Sequence, residues 1–180
     1  MLLLRTRIKT KRLLLIPIDS KYKKEIYEEM DNKITEYMSV IPYESQSQTL
    51  ECINEHVENM KNNETLQLCI INDKDKSFIG RIGIYELKSE IPEIGIWIKK
   101  TEQGKGYGFE ATNATIEWVF RNLGIKRLLY PVDKRNHNSI KIVKKINSSF
   151  LTDIKKEKYN GKEVEVLGYE IHNPDYKKTL

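Results

Sequence analysis

At 180 residues, and with roughly 100 to 200 residues in a typical domain, the sequence has room for one domain over 1–180, large enough to bury roughly 70% of its unfolded surface without disulfides or structural metal. Apolar residues at 39% and charged residues at 32% exclude wholesale disorder. The net charge of +5 is small for a nucleic-acid binder and unevenly spread, with eight basic groups and one acidic in residues 1–24 but two basic and ten acidic in 25–64.

Met1-Leu2-Leu3-Leu4 is apolar but ends at Arg5, too short for a signal peptide or a membrane span, so a cytoplasmic protein without a membrane partner is expected. Arg12 to Ile18 (RLLLIPI) reads as a first strand near a sheet edge, ended by Pro17 and Asp19. Asp19 or Ser20 can cap a helix whose Tyr22, Ile26 and Met30 share one face. A second helix places Leu50, Ile53, Val57 and Met60 on one side, and the acidic block falls on the other faces of these two helices. Leu66 to Ile71 and Phe78 to Tyr85 read as strands joined by the polar turn Asn72 to Lys76. In Glu93 to Lys99, Ile94, Ile96 and Ile98 alternate with Glu93, Gly95, Trp97 and Lys99, the period of a strand.

The next helix has Phe109, Ile116, Val119, Phe120 and Leu123 on its apolar face and Gly124 as its left-handed stop. Arg127 to Val132 reads as a strand, Ser139 to Lys145 as a short helix with Ile140, Val143 and Ile146 on one stripe, and two closing strands flank the turn signal Asn160-Gly161. Strands and helices mixed without regular βαβ alternation predict an α+β fold around one twisted sheet. Cys52 and Cys69 form no CxxC pair, and His56, His137 and His172 lack ligand spacing, so reduced thiols and no metal are expected.

Between the alternating strand and the long helix lies Gln103-Gly104-Lys105-Gly106-Tyr107-Gly108. Three glycines let backbone N–H groups converge, and the following helix adds its positive end, a combination that binds phosphate. The spacing is neither GxGxxG nor a P-loop, and the residues alone equally allow a plain glycine turn.

Gln103-x-x-Gly106-x-Gly108, placed after a strand and opening a helix, resembles the acetyl-CoA pyrophosphate loop of the GNAT superfamily of N-acetyltransferases. Thr10-Lys11-Arg12-Leu13-Leu14-Leu15, Glu93-Ile94-Gly95-Ile96-Trp97, Asn136-His137-Asn138-Ser139 and the closing hairpin follow in the order of its ribosomal-protein N-terminal acetyltransferase branch. The resemblance implies a central, mostly antiparallel mixed sheet of about seven strands flanked by helices and splayed between the fourth and fifth. Acetyl-CoA or CoA would enter the splay as co-substrate, with no metal. Its pyrophosphate would lie on Gln103, Gly104, Lys105, Gly106, Tyr107, Gly108 and Phe109, and its pantetheine arm along Ile96, Trp97 and Ile98, with Asn136 and Ser139 also contacting it. Pro131 cannot donate to a ladder, which fits either a strand parting from its neighbour or an edge strand. One departure is the exit of the short helix, Ile146-Asn147-Ser148-Ser149-Phe150, where the family places Leu-Gly-Phe.

Acetyl transfer requires a neutral amine. At pH 7 deprotonation costs ~4.6 kcal/mol for a lysine-like nitrogen but only ~1 kcal/mol for an α-amine. Glu93 is the candidate general base, directly or through water, with Glu86 second; a surface carboxylate opening a strand is the plainer reading of Glu93. The departing thiolate needs a proton or a hydrogen bond. The resemblance assigns this to Ser139, because the position at which other relatives carry tyrosine holds Val143. Asn136, Asn138 and Ser139 would also serve simply as helix caps. The expected activity is N-acetylation of a primary amine by direct attack in a ternary complex, with a protein or peptide N-terminus of ribosomal-protein-alanine type as acceptor. The acidic helices would equally attract a polyamine or an aminoglycoside. Rival readings are a CoA-binding sensor or scaffold without activity and a ribosome-associated RNA binder, the latter lacking a recognition motif. The protein would act as a monomer or homodimer.

Overall fold

The computed structural model describes residues 3–146, 148–159 and 162–176. Among them run eight strands: β1 (Ile8–Lys9), β2 (Leu13–Pro17), β3 (Leu66–Asn72), β4 (Phe78–Tyr85), β5 (Glu93–Ile98), β6 (Arg127–Asp133), β7 (Ser148–Tyr159) and β8 (Lys162–His172). They form one sheet in the order β1-β2-β3-β4-β5-β6-β8-β7, and every neighbouring pair is antiparallel except β5 and β6. The expected α+β class holds. The additional strand is β1, whose two residues pair with Leu14 and Leu15 and are too few for a periodic pattern to mark. β2 is therefore next to the edge. The Asn160-Gly161 turn and Asn147 in the exit of the short helix lie outside the described residues.

Helix α1 (Lys23–Glu29) follows a single 3-10 turn that Asp19 caps by accepting from the Lys21 N–H, and it buries Tyr22, Ile26 and Met30 as the spacing predicts. In α2 (Gln46–Lys61) the Ser45 side chain accepts the Gln48 N–H while the Gln48 side chain accepts the Glu44 N–H, a reciprocal cap. Its buried face centres on Thr49, Ile53 and Met60; Leu50 and Val57 are only half-buried. Helix α3 (Tyr107–Leu123) closes on Gly124 at φ +66, and α4 (His137–Lys145) is anchored by the fully buried Val143. Among the described residues no helix is long and apolar enough to cross a membrane.

β3 is buried almost throughout because the sheet is covered on both faces. By the two-residue period, Gln67, Cys69, Arg81 and Trp97 share a face, and Tyr22, Phe78 and Trp97 make an aromatic row there, with ring centroids 5.5 and 5.7 Å apart. The isoleucines Ile94, Ile96 and Ile98 fall on the opposite face.

β5 and β6 are joined by one rung, Glu93 opposite Leu129, where the Leu129 N–H donates to the Pro92 carbonyl at 2.9 Å. Beyond it the strands part, as expected. At the far end of β6 the Lys134 N–H donates to Glu165 at the start of the β8 ladder. Odd-numbered residues of β6 thus direct their N–H groups toward β5 and even-numbered ones toward β8. Pro131 is odd. Its hydrogen-free nitrogen faces the gap, so β6 lies inside the sheet and the proline costs no ladder bond.

Candidate active site

Where β5 and β6 part, a cleft of about 320 Å³ opens, lined by Ile96, Trp97, Ile98, Gln103, Gly104, Gly106, Tyr107, Gly108, Phe109, Asn136 and Ser139. Residues spread over 44 positions of the sequence, all singled out from it, meet at one site. Lys105 and Glu93 are not among the lining residues. Lys105 turns its ammonium to Glu102 at 3.0 Å, and half-buried Glu93 sits at the rung, opposite Tyr85 on β4 and Leu129 on β6. Glu86 is exposed beyond the end of β4, at φ +53.

The glycine loop has the shape its composition predicts. After a 3-10 turn at Lys100–Glu102, the Gln103 side-chain amide donates to the Ile98 carbonyl at 3.0 Å, tying the loop to the strand it leaves. Gly104 at φ +77 and Gly106 at φ +82 then turn the chain through left-handed backbone into α3. No side chain caps that helix, so the N–H groups of its first turn are open to an anion.

Arg12, between β1 and β2, braces this loop. Its Nη1 donates to the Lys105 carbonyl at 2.9 Å, its Nε and Nη2 reach the Glu110 carboxylate at 2.7 and 2.6 Å, and its guanidinium lies 4.4 Å from the Tyr107 ring centroid. Burial raises the Glu110 carboxyl, but hydrogen bonds from Thr10 and Arg12 outweigh it and hold the group below the usual carboxylate range.

On the opposite wall, Asn136 Oδ1 accepts the Ser139 N–H at 3.0 Å and starts α4. Asp133, 3% exposed, fixes the preceding loop through Arg135 at 2.6 and 3.0 Å; its burial raises the carboxyl, and Arg135 more than offsets this and keeps it low. Arg135 also lies 5.6 Å from the Tyr37 ring centroid, linking this loop to the wall formed by Lys33, Ile34, Tyr37 and Met38. That wall was not legible in the sequence. Lys141 and Lys145 also line the cleft, and their four-residue spacing on one helix was the signal that could have found them. The acidic groups of 25–64 are not among the lining residues; Glu29, for example, pairs with Lys99 at 3.1 Å and Glu58 with Lys61.

A second polar cluster lies under α2. Arg81, 6% exposed, donates to Gln67 at 3.2 Å, and Tyr43 meets Cys52 at 3.2 Å. Burial, reinforced by the Arg81 charge, pushes His56 down to about 4, and burial pushes Cys69 up to about 11. Among the described residues no group of three or more His, Cys, Asp or Glu is placed to hold a metal ion.

The sequence profile of the acetyltransferase (GNAT) domain matches residues 12–148. The chain belongs to the GNAT acetyltransferase family. It is an acyltransferase on the parted sheet described above. This GNAT chain is 25% identical over 151 residues to the uncharacterized N-acetyltransferase p20 of Bacillus licheniformis, covering 81% of the chain and 84% of that protein. Among solved structures, the ribosomal-protein-S5-alanine acetyltransferase of Vibrio fischeri superposes with a TM-score of 0.82 at 20% identity, over 96% of this chain and 99% of that one. The spermidine N-acetyltransferase of Vibrio cholerae, crystallised with CoA and spermine, superposes with a TM-score of 0.79 at 21% identity, over 91% and 96%. At these identities the two structures share the acetyltransferase fold with this chain.

Proposed function

We propose that residues 1–180 form one domain that transfers the acetyl group of acetyl-CoA to a primary amine, the α-amine at the N-terminus of a protein or peptide. The observation that carries this reading is that one cleft brings together the uncapped start of α3, the parted edge of β5 and the Ser139 side chain. The donor set fits the co-substrate. Backbone N–H groups of the glycine loop, with Lys141 and Lys145, would hold phosphates, and Ile96 to Ile98 would lie along the pantetheine arm. That the spermidine N-acetyltransferase of Vibrio cholerae, which shares this fold, was crystallised with CoA supports CoA as the co-substrate.

When bound, acetyl-CoA supplies the activated carbonyl. Asn136 orients the Ser139 turn, and Ser139 donates a hydrogen bond to the departing sulfur. Glu93 acts as base through water, a distance that an α-amine tolerates because freeing its lone pair at pH 7 costs only ~1 kcal/mol. The wall of Lys33, Ile34, Tyr37 and Met38 supports this acceptor over a polyamine, since it offers apolar surface and a cation, and the one carboxylate among the cleft's lining residues, Glu102, is already paired with Lys105 at 3.0 Å.

A thiol-release assay with acetyl-CoA tests the proposal. Peptides with free N-termini should turn over, and the same peptides with blocked N-termini should not. Faster turnover of spermidine or an aminoglycoside would replace the acceptor class, and saturable CoA binding without turnover of any amine would leave a sensor.

A further inference from the structure

Ser139 does not act alone in the structure. Tyr130, on β6 and 2% exposed, places its hydroxyl 2.8 Å from Ser139 Oγ, and among the described residues Ser139 is its hydrogen-bond partner. We propose that Tyr130 is a positioning residue for thiol departure: it donates its hydroxyl hydrogen to Ser139 Oγ and so turns the Ser139 O–H into the cleft, toward the leaving sulfur. This rests on the acetyl-transfer reading above.

The direction of the bond follows from counting hydrogens. Two hydroxyls at this distance share one hydrogen between them. If Ser139 donated it, the Tyr130 hydrogen would be buried without an acceptor, at the full desolvation cost of an unmet donor. If Tyr130 donates, its hydrogen is satisfied and the Ser139 hydrogen is left for the cleft that Ser139 lines. A hydroxyl that accepts a hydrogen bond is also polarised into a stronger donor. The Ser139 backbone cannot drift, because Asn136 holds its N–H. Residues 137–145 contain no tyrosine, so α4 itself supplies no phenol.

The proton accounting separates this pair from an acid that gives its proton away. As the amine nitrogen bonds the carbonyl carbon, the C–S bond breaks and its electron pair passes to sulfur. The nitrogen's proton leaves to water or to Glu93. Burial pushes the Tyr130 phenol up to about 12, against ~8.5 for an ordinary thiol, so neither hydroxyl ends deprotonated. The pair stabilises the thiolate by hydrogen bonding, and the thiolate is reprotonated from solvent.

The test compares wild type, Tyr130→Phe, Ser139→Ala, Ser139→Thr and the Tyr130→Phe/Ser139→Ala double variant, with melting temperatures read alongside. With the best amine of the panel, Tyr130→Phe should lower kcat about tenfold while the KM and Kd for acetyl-CoA stay within about twofold. Ser139→Thr, which keeps a hydroxyl, should restore most of the activity lost in Ser139→Ala. The double variant should be no slower than Ser139→Ala. Unchanged kcat in Tyr130→Phe, or a double variant whose loss is the product of the single losses, overturns the proposal. A second readout needs no turnover. The thiol of bound CoA, followed by thiolate absorbance, should titrate at lower pH in wild type than in Tyr130→Phe or Ser139→Ala, and an identical pH overturns the proposal. Site-specific ortho-fluorotyrosine at 130 keeps ring and hydroxyl and guards against a folding defect in Tyr130→Phe. Its more acidic phenol should lower that thiol pKa further, and no change counts against Tyr130. Failure of every amine to react would remove the acetyl-transfer reading, and the titration would still decide Tyr130.

Discussion

Arg12 and Glu110 meet at 2.6 Å although 98 residues separate them in the chain. The carboxylate accepts from the Thr10 hydroxyl, the Arg12 backbone N–H and two guanidinium nitrogens, and the same guanidinium holds the Lys105 carbonyl. Thus the first hairpin of the protein sets the shape of the loop that opens α3. An exposed ion pair alone would contribute little, but a forked guanidinium with three further bonds is a geometric constraint.

Arg12→Lys keeps the charge and loses the fork. It should raise the Kd for acetyl-CoA about tenfold, on the order of one charge-assisted hydrogen bond, with kcat at saturation little changed. Calorimetry and saturation kinetics read the two quantities, and an unaltered Kd would show that the loop holds its shape without Arg12.

Gly106 and Gly124 bracket α3, both in left-handed backbone. An alanine at either position costs about 1–2 kcal/mol of strain. Its Cβ would find open space at Gly124 and only an ordinary 3.5 Å contact with Arg12 at Gly106. Both Gly106→Ala and Gly124→Ala should therefore lower the melting temperature, but only the first should weaken acetyl-CoA binding. Equal affinity in the two variants would sever the loop's backbone shape from recognition.

His56 makes stability fall in mild acid. Its folded pKa of about 4 lies below the unfolded value of ~6.5, so between these limits the unfolded chain takes up a proton that the folded chain refuses. Stability should be lost as pH drops through that window, by at most about 3 kcal/mol from this group. Denaturant titrations of wild type and His56→Gln at several pH values test this, and the variant should show the shallower slope. Parallel curves would mean that His56 is solvated.

Cys69 is fully buried with its thiol pushed up to about 11, while Cys52 is half-buried. A thiol reagent should modify one cysteine per native chain, Cys52, and reach Cys69 only on unfolding. Mass spectrometry of the labelled peptides distinguishes the two sites.

Strands whose apolar residues alternate, or run unbroken, were legible: β4 spans the expected Phe78 to Tyr85, and β5 begins at the expected Glu93. The glycine loop and Gly124 were legible for the same reason, since local backbone demands select local residue types, whereas α4 starts at His137, two residues before the expected Ser139, because Asn136 caps it. What escaped were partnerships across the chain. Arg81 is one charge in an apolar strand, and nothing nearby announces that Gln67 and Tyr43 surround it. Tyr130 looks like any aromatic core residue until folding brings Ser139 to its hydroxyl. The acidic block suggested attraction for a cationic acceptor, but composition carries no direction: Glu28, Glu29 and Glu58 pair with Lys24, Lys99 and Lys61, and none of the block's carboxylates is among the residues lining the cleft.

Pro131 gives the sheet a property of its own. Two strands left side by side with complementary edges would tend to zip together when nothing lies between them, and a ligand would first have to pull them apart. Here one lip of the seam lacks the hydrogen that the next rung requires, so the sheet cannot heal itself. The entrance is preorganised, and association proceeds without the activation cost of breaking a ladder.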